Sequence, residues 1–197
     1  VKDLGGNILA MQKYQEIAVY LIGSEKARLH MTETSAGAGE ARKDKKKYSI
    51  VCICQIYNEL RKGNLERFVK YLKPLVDDLV VWDDASTDGS QEYMLKHTRH
   101  VFRGEKTDLA DEMRKKQILL DHALKLKPDF VVYVDADEVF TANARSRLQE
   151  LCAYCVENQI DGLSFHELNL WRSKSWRRLD NLYDLGWFVR LWRVTPN

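Results

Sequence analysis

From Tyr48 onward the chain alternates short apolar runs with segments of helical spacing, and this alternation restricts the possible folds more than any other feature. "YSIVCICQ" reads as a strand; in "NLERFVKYLKPLV", which follows, apolar residues recur every three or four positions and Asn64 stands as a cap. "DLVVWDD" is a second strand, followed by the turn residues "ASTDGS" and a short helix from Gln91. "HVFRG" reads as a short strand, "DLADEMRKKQILLDHALKL" as a long helix, and "DFVVYVDAD" as a strand after the break at Pro128. "ARSRLQELCAYCVEN" is a helix, and "DGLSFHEL" and "GWFVRLWRV" are the last strands. Strands separated by helices are joined by right-handed crossovers, which produce a mostly parallel sheet covered on both faces. The expected fold class is α/β, beginning at about residue 48.

Ahead of that domain, Ile8, Met11, Ile17, Tyr20 and Leu21 recur at broadly helical spacing after Asn7, which predicts a helical appendage over residues 1–31. Residues 32–47 are small and charged, and the last eight hold five basic and two acidic side chains. They read as a flexible basic linker, with attachment to an anionic membrane surface as the second reading. The remainder, residues 48–197, is the length of one domain. A net charge of +2 gives no overall attraction to nucleic acid. No apolar run approaches the roughly 18–20 residues of a membrane-spanning helix, and no secretory pattern opens the chain. The expected location is the cytoplasm, including the cytoplasmic face of a membrane.

Four cysteines are present, Cys52 and Cys54 on the first strand and Cys152 and Cys155 as a lone C-x-x-C on a helix. A zinc ribbon needs a second pair, and a thioredoxin-type motif opens a helix after a strand, so the expected state is buried reduced thiol.

In an open α/β sheet, ligands collect beyond the carboxyl ends of the strands. Three such ends carry polar chemistry here: Gln55, Tyr57, Asn58 and Glu59 at the first, Asp83 and Asp84 at the second, and Asp135, Asp137 and Glu138 at the fourth. Carboxylates gathered on one rim repel one another unless a cation sits among them or water reaches them. Asp135-x-Asp137 offers hard oxygen donors suited to Mg2+ or Mn2+, with substrate phosphates completing the shell.

"SIVCICQIYNE", "LVVWDDASTDGSQEYM" and "FVVYVDADEVF", in that order and at these separations, resemble the family 2 glycosyltransferases of GT-A fold, in particular bacterial enzymes of polysaccharide and lipopolysaccharide-core assembly. The resemblance covers residues 48–140 and runs more loosely to 197. It implies transfer of a sugar, with inversion, from a nucleotide-diphosphate sugar, UDP-sugars being favoured, to a glycan or lipid-linked acceptor. By matching motif, Tyr57 and Asp84 would meet the base, with Gln55, Asn58 and Glu59 beside them. Asp135 would meet the ribose or the metal's surroundings, and Asp137 the divalent ion on the diphosphate. Arg114, first of the basic trio Arg114, Lys115 and Lys116, falls where the family places an arginine, although the asparagine that follows in the family is missing. Asp88 and Gly89 read as turn formers rather than ligands.

Inverting transfer requires a base for the acceptor hydroxyl, and the candidates downstream of D-x-D are Asp184, Asp180, Glu167 and His166. Asp180 and Asp184 both precede the last strand, where the resemblance puts the family's catalytic acid residue, and Asp184 is preferred over Asp180. Trp171 and Trp176 in "WRSKSWRRL", with His166, are candidates for holding an acceptor sugar. Related sequences continue beyond "RVTPN", so the reading includes a catalytic fragment. Two rivals stand beside this one: a nucleotide-sugar or glycan-binding module without turnover, and a phosphohydrolase of the haloacid dehalogenase type. The second fits "VYVDADEVF" but lacks that family's later G-D-x-x-x-D.

Overall fold

The computed structural model describes residues 11–13, 19–22, 47–107, 111–167, 169–170, 176–178 and 186–195. Along the chain the elements are β1 (Met11–Lys13), β2 (Val19–Ile22), β3 (Ile50–Ile56), α1 (Asn64–Leu72), β4 (Asp78–Asp83), α2 (Ser90–Met94) and β5 (His100–Arg103). They continue with α3 (Glu112–Lys125), β6 (Phe130–Tyr133), α4 (Ala142–Glu157), β7 (Gly162–His166), β8 (Trp176–Arg178) and β9 (Trp187–Arg193).

Seven of the described strands form one sheet in the order β2-β7-β9-β6-β3-β4-β5, and β1 pairs with β8 apart from it. The α/β class holds. The expected parallel sheet is the block β6, β3, β4 and β5, in which every pairing is parallel. Beyond β6 the pairings turn antiparallel, β6 with β9, β9 with β7 and β7 with β2.

The N-terminal expectation is corrected. Where spacing predicts a helix, the described residues are two short strands, and Val19–Ile22 pairs with β7 at the sheet edge. Four apolar residues do not distinguish helix from strand by periodicity, and a run of Val, Tyr, Leu and Ile suits a pleated surface once a partner strand is available. The rest of the expected appendage and linker, through residue 46, lies outside the described residues.

Strand parity sorts the core into two faces, because successive side chains point to opposite sides. Ile50, Cys52, Cys54 and Ile56 pack with Phe68 of α1, Met94 of α2 and Leu148 of α4, whereas Val51, Ile53, Val80 and Tyr133 pack with Leu119 and Ala123 of α3. The cap of α1 is Gly63 with φ 73°, a conformation that costs glycine little, rather than Asn64. Asn64 instead donates its side-chain amide to Glu59 Oε2 at 2.6 Å.

All four cysteines are buried free thiols, as expected. Burial raises each of them, Cys152 to about 12 and Cys155 to about 11.

Candidate active site

The same parity decides which rim residues face one another. Odd-numbered positions of β3 and β6 and even-numbered positions of β4 face α3, so Gln55, Asp84 and Asp135 extend from the α3 side of the strand ends. Asp83 faces the opposite side. It is fully buried, accepts from Ser86 N and lies 3.4 Å from Arg103 Nη1. Burial raises its carboxyl above the ordinary range.

Asp84 continues the β4 ladder through Asp84 N–H to Ile56 O at 2.9 Å, and its carboxylate accepts from Lys115 Nζ at 2.6 Å. The two side chains are 7% and 4% exposed, so this is a desolvated ion pair at the rim. The basic trio of α3 is thereby separated by helical phase. Arg114 turns outward to Asp111, Lys115 turns in to Asp84, and Lys116 lies 4.5 Å from the centre of the Tyr133 ring. The member that reaches the rim is Lys115 rather than Arg114. Beside it, a Cβ built on Gly104 would lie 3.4 Å from Trp82 Nε1 and 3.5 Å from Asp84 Oδ1. The Trp82 indole nitrogen is buried without a hydrogen-bond partner among the described residues, so a donor and an acceptor flank this small residue.

Tyr57 stands 45% exposed just past β3. Gln55 Nε2 donates to Glu112 O at 3.4 Å. Asn58 and Glu59, expected beside a nucleotide, are committed to the loop. Asn58 takes φ 52° and its Oδ1 accepts from Thr87 N at 2.8 Å, while Glu59 binds Lys62 and Asn64. Asp88 shapes the turn, accepting from Arg61 N at 2.9 Å and from Ser90 Oγ at 2.6 Å. Ser90 Oγ is in turn the acceptor for Glu59 N and Leu60 N.

Burial pushes the Asp88 carboxyl up, but the hydrogen bonds from Arg61 and Ser90 outweigh it and hold it below its ordinary value. A lowered folded value means that the fold favours the ionised form. Its contribution is complete above the unfolded value of about 3.9 and is lost as pH falls through the lowered folded one. Asp88→Ala is therefore expected to cost about 1–2 kcal/mol at pH 7 in urea denaturation, with the gap from wild type closing below about pH 4.

At the end of β6, Asp135 Oδ1 accepts from the Tyr133 hydroxyl, and Asp135 N donates to Glu138 Oε2 at 3.1 Å. Arg190 of β9 meets three carboxylates: Glu138 Oε1 at 2.6 Å, Asp135 Oδ2 at 3.5 Å and Glu167 Oε2 at 3.5 Å. Its guanidinium carbon lies 5.2 Å from the Tyr133 ring centre. Glu138 is raised to about 7 by burial and, less strongly, by the Asp135 and Glu167 charges, against the pull of Arg190.

Asp137 is exposed and makes no hydrogen bond or ion pair with any described residue. Among the described residues no group of three His, Cys, Asp or Glu side chains is gathered as a metal-ligand set. The rim thus offers one open carboxylate at Asp137 and a second, engaged one at Asp135. That donor set fits a hard divalent ion shared with phosphate and water rather than one enclosed by protein.

Arg190, Tyr133 and the inward turn of Glu138 were not singled out in the sequence. The available signal was an arginine in the middle of the apolar strand "WFVRLWR". His166 closes β7 with its ring 5.2 Å from that of Trp187. Trp176 lies on β8, whereas Trp171, Asp180 and Asp184 fall outside the described residues. Among the described residues no helix is long and apolar enough to cross a membrane.

No family model matches the chain, and no curated protein matches it. Among solved structures it is similar to S. aureus TarS 1–349 in complex with UDP, at 23% identity and TM-score 0.45 over 58% of this chain and 34% of that one. It is also similar to TarS 1–349 in complex with UDP-GlcNAc, at 22% identity and TM-score 0.43 over 58% of this chain and 33% of that one. A third likeness is to the mannosyltransferase PcManGT from Pyrobaculum calidifontis in complex with GDP-Man and Mn2+, at 23% identity and TM-score 0.43 over 59% of this chain and 35% of that one. The chain spans about a third of the length of each of these proteins.

Proposed function

We propose that the chain is the nucleotide-sugar-binding part of a metal-dependent, inverting glycosyltransferase of family 2 with a GT-A fold. It would act on a glycan or lipid-linked acceptor in cell-envelope polysaccharide assembly, with UDP-sugars as the favoured donors. The observation that carries this reading is the rim itself, with the Asp84–Lys115 pair and Asp135 on the α3 side of neighbouring strand ends and the open carboxylate of Asp137 in the turn that follows β6.

Asp84 is an acceptor for an N–H of the base, and Lys115 orients its carboxylate and screens it from the phosphates. Tyr57, whose side chain is exposed, would lie against the base. Asp135 meets the ribose side, and Asp137 with Asp135 would hold Mn2+ or Mg2+, whose part is to neutralise charge on the departing diphosphate. Asn58, Glu59 and Arg114 act here as supports of the loop and helix rather than as ligands. The base is a downstream carboxylate, Asp184 or Asp180 by the resemblance and Glu167 by its place in the Arg190 network beside Asp135. Trp171, Trp176 and His166 are assigned to the acceptor, and the basic residues 40–47 to a membrane surface.

A thermal-shift series tests the reading, because ligands that bind only the folded state raise its melting temperature. UDP-, GDP- and dTDP-sugars are compared with and without Mn2+. At a hundredfold excess over Kd, at least one donor with Mn2+ is expected to raise Tm by about 5–10 °C. If every nucleotide sugar leaves Tm unmoved in both conditions, the reading fails.

A further inference from the structure

Arg190 occupies an irregular position. The pairing of β7 with β9 steps from Leu163–Leu191 to Ser164–Val189, so Arg190 has no counterpart on β7. An extra residue of this kind bulges the strand and re-aims its side chain, a device common beside active sites. Here it sends the guanidinium, 14% exposed, among carboxylates from the end of β6, the turn after it and the end of β7.

We propose that Arg190 is an internal counter-ion that makes divalent-metal binding at Asp135 and Asp137 depend on the donor's diphosphate. The proposal rests on the nucleotide-sugar reading above. Any ion ligated by Asp135 Oδ2 lies within about 6 Å of Arg190 Nη1, from the 3.5 Å contact plus a metal–oxygen bond of about 2.0–2.2 Å. Arg190 holds the nearby carboxylates and repels a bare dication. A metal already bound to diphosphate arrives with its charge largely cancelled and is not repelled in the same way. The planar fork of arginine suits this task, since it spans several carboxylates while resting on the Tyr133 ring, whereas a lysine ammonium addresses fewer of them at once. Arg190 is in these terms a positioning residue, acting through Asp135.

The test titrates the full chain with Mn2+ alone and follows the free ion by its electron-paramagnetic-resonance signal, then repeats the titration with UDP and with GDP. Without nucleotide, Arg190→Gln is expected to bind Mn2+ at least about tenfold more tightly than wild type, with Arg190→Lys between them. Nucleoside diphosphate is expected to tighten Mn2+ binding strongly in wild type and much less in Arg190→Gln. A merely structural role for Arg190 predicts equal or weaker Mn2+ binding in the variants, and that result overturns the proposal. If Arg190→Gln does not fold, Arg190→Lys must show the tightening on its own, and no tightening there overturns the proposal as well. Tightening in the variants with no diphosphate effect in wild type keeps the counter-ion and sinks the coupling to a donor, together with the nucleotide-sugar reading.

Discussion

Replacing Lys115 with methionine is expected to lower folding stability by about 3–5 kcal/mol in urea denaturation, because removing one partner of a buried ion pair leaves the other charge desolvated. The pair has the features that make the loss large: a 2.6 Å contact and side chains almost wholly withdrawn from water. The double variant Asp84→Leu/Lys115→Met should recover much of that stability, since an apolar pair replaces a desolvated ionic one. It should not recover nucleotide binding. A double variant that binds a nucleotide as well as wild type does would remove Asp84 from the site, whatever its stability. Arg114→Met serves as the neighbouring control, because its ion pair with Asp111 stands in solvent, where such pairs contribute little to folding.

Asp137→Ala should behave in the opposite way. An exposed carboxylate with no hydrogen bond or ion pair among the described residues contributes little to the fold, so the unfolding free energy from urea denaturation is expected to stay within about 0.5 kcal/mol of wild type. Mn2+-dependent stabilisation by a nucleotide sugar should disappear, and donor turnover should fall by at least about a hundredfold, as expected when a ligand to a leaving-group metal is removed. Intact metal-dependent stabilisation in Asp137→Ala would show that the metal assignment is misplaced. A large loss of folding stability would show that the residue has a structural duty.

The strands β3, β4 and β6 were legible because each is a run of apolar and β-branched residues bounded by breaks or turn residues and ended by polar ones, as Pro128 and Asp135 bound β6. The rim was legible for the same reason, since strand ends locate it. Less accessible was everything that depends on phase or register. Which of Arg114, Lys115 and Lys116 turns inward is set by the seating of α3 against Val51, Ile53 and Val80, and no count of basic residues reveals it. Val19–Ile22 becomes a strand because β7, about 140 residues later, offers it an edge. Arg190 reaches Asp135, Glu138 and Glu167 through a one-residue step in pairing, a feature of two strands together that neither segment states alone. Asp83 and Asp84 look equivalent in sequence, and only the alternation of β4 sends one to Arg103 and the other to Lys115.

The position of β9 bears on how the sheet is assembled. Although it follows β7 in the chain, β9 lies between β6 and β7, which share no pairing. Until Trp187–Arg193 is in place, the parallel block ends in an open edge at β6, and β7 with β2 has nothing to join. Closing the gap is a long-range step, of the kind that loop-closure entropy makes slow. A nascent chain would wait with the outer edge of apolar β6 unpaired, a template for pairing with other chains and a natural point for chaperone capture. The strand that brings Arg190 to the rim is also the one that unites the two halves of the sheet, so the candidate site and the continuous sheet are completed in the same event.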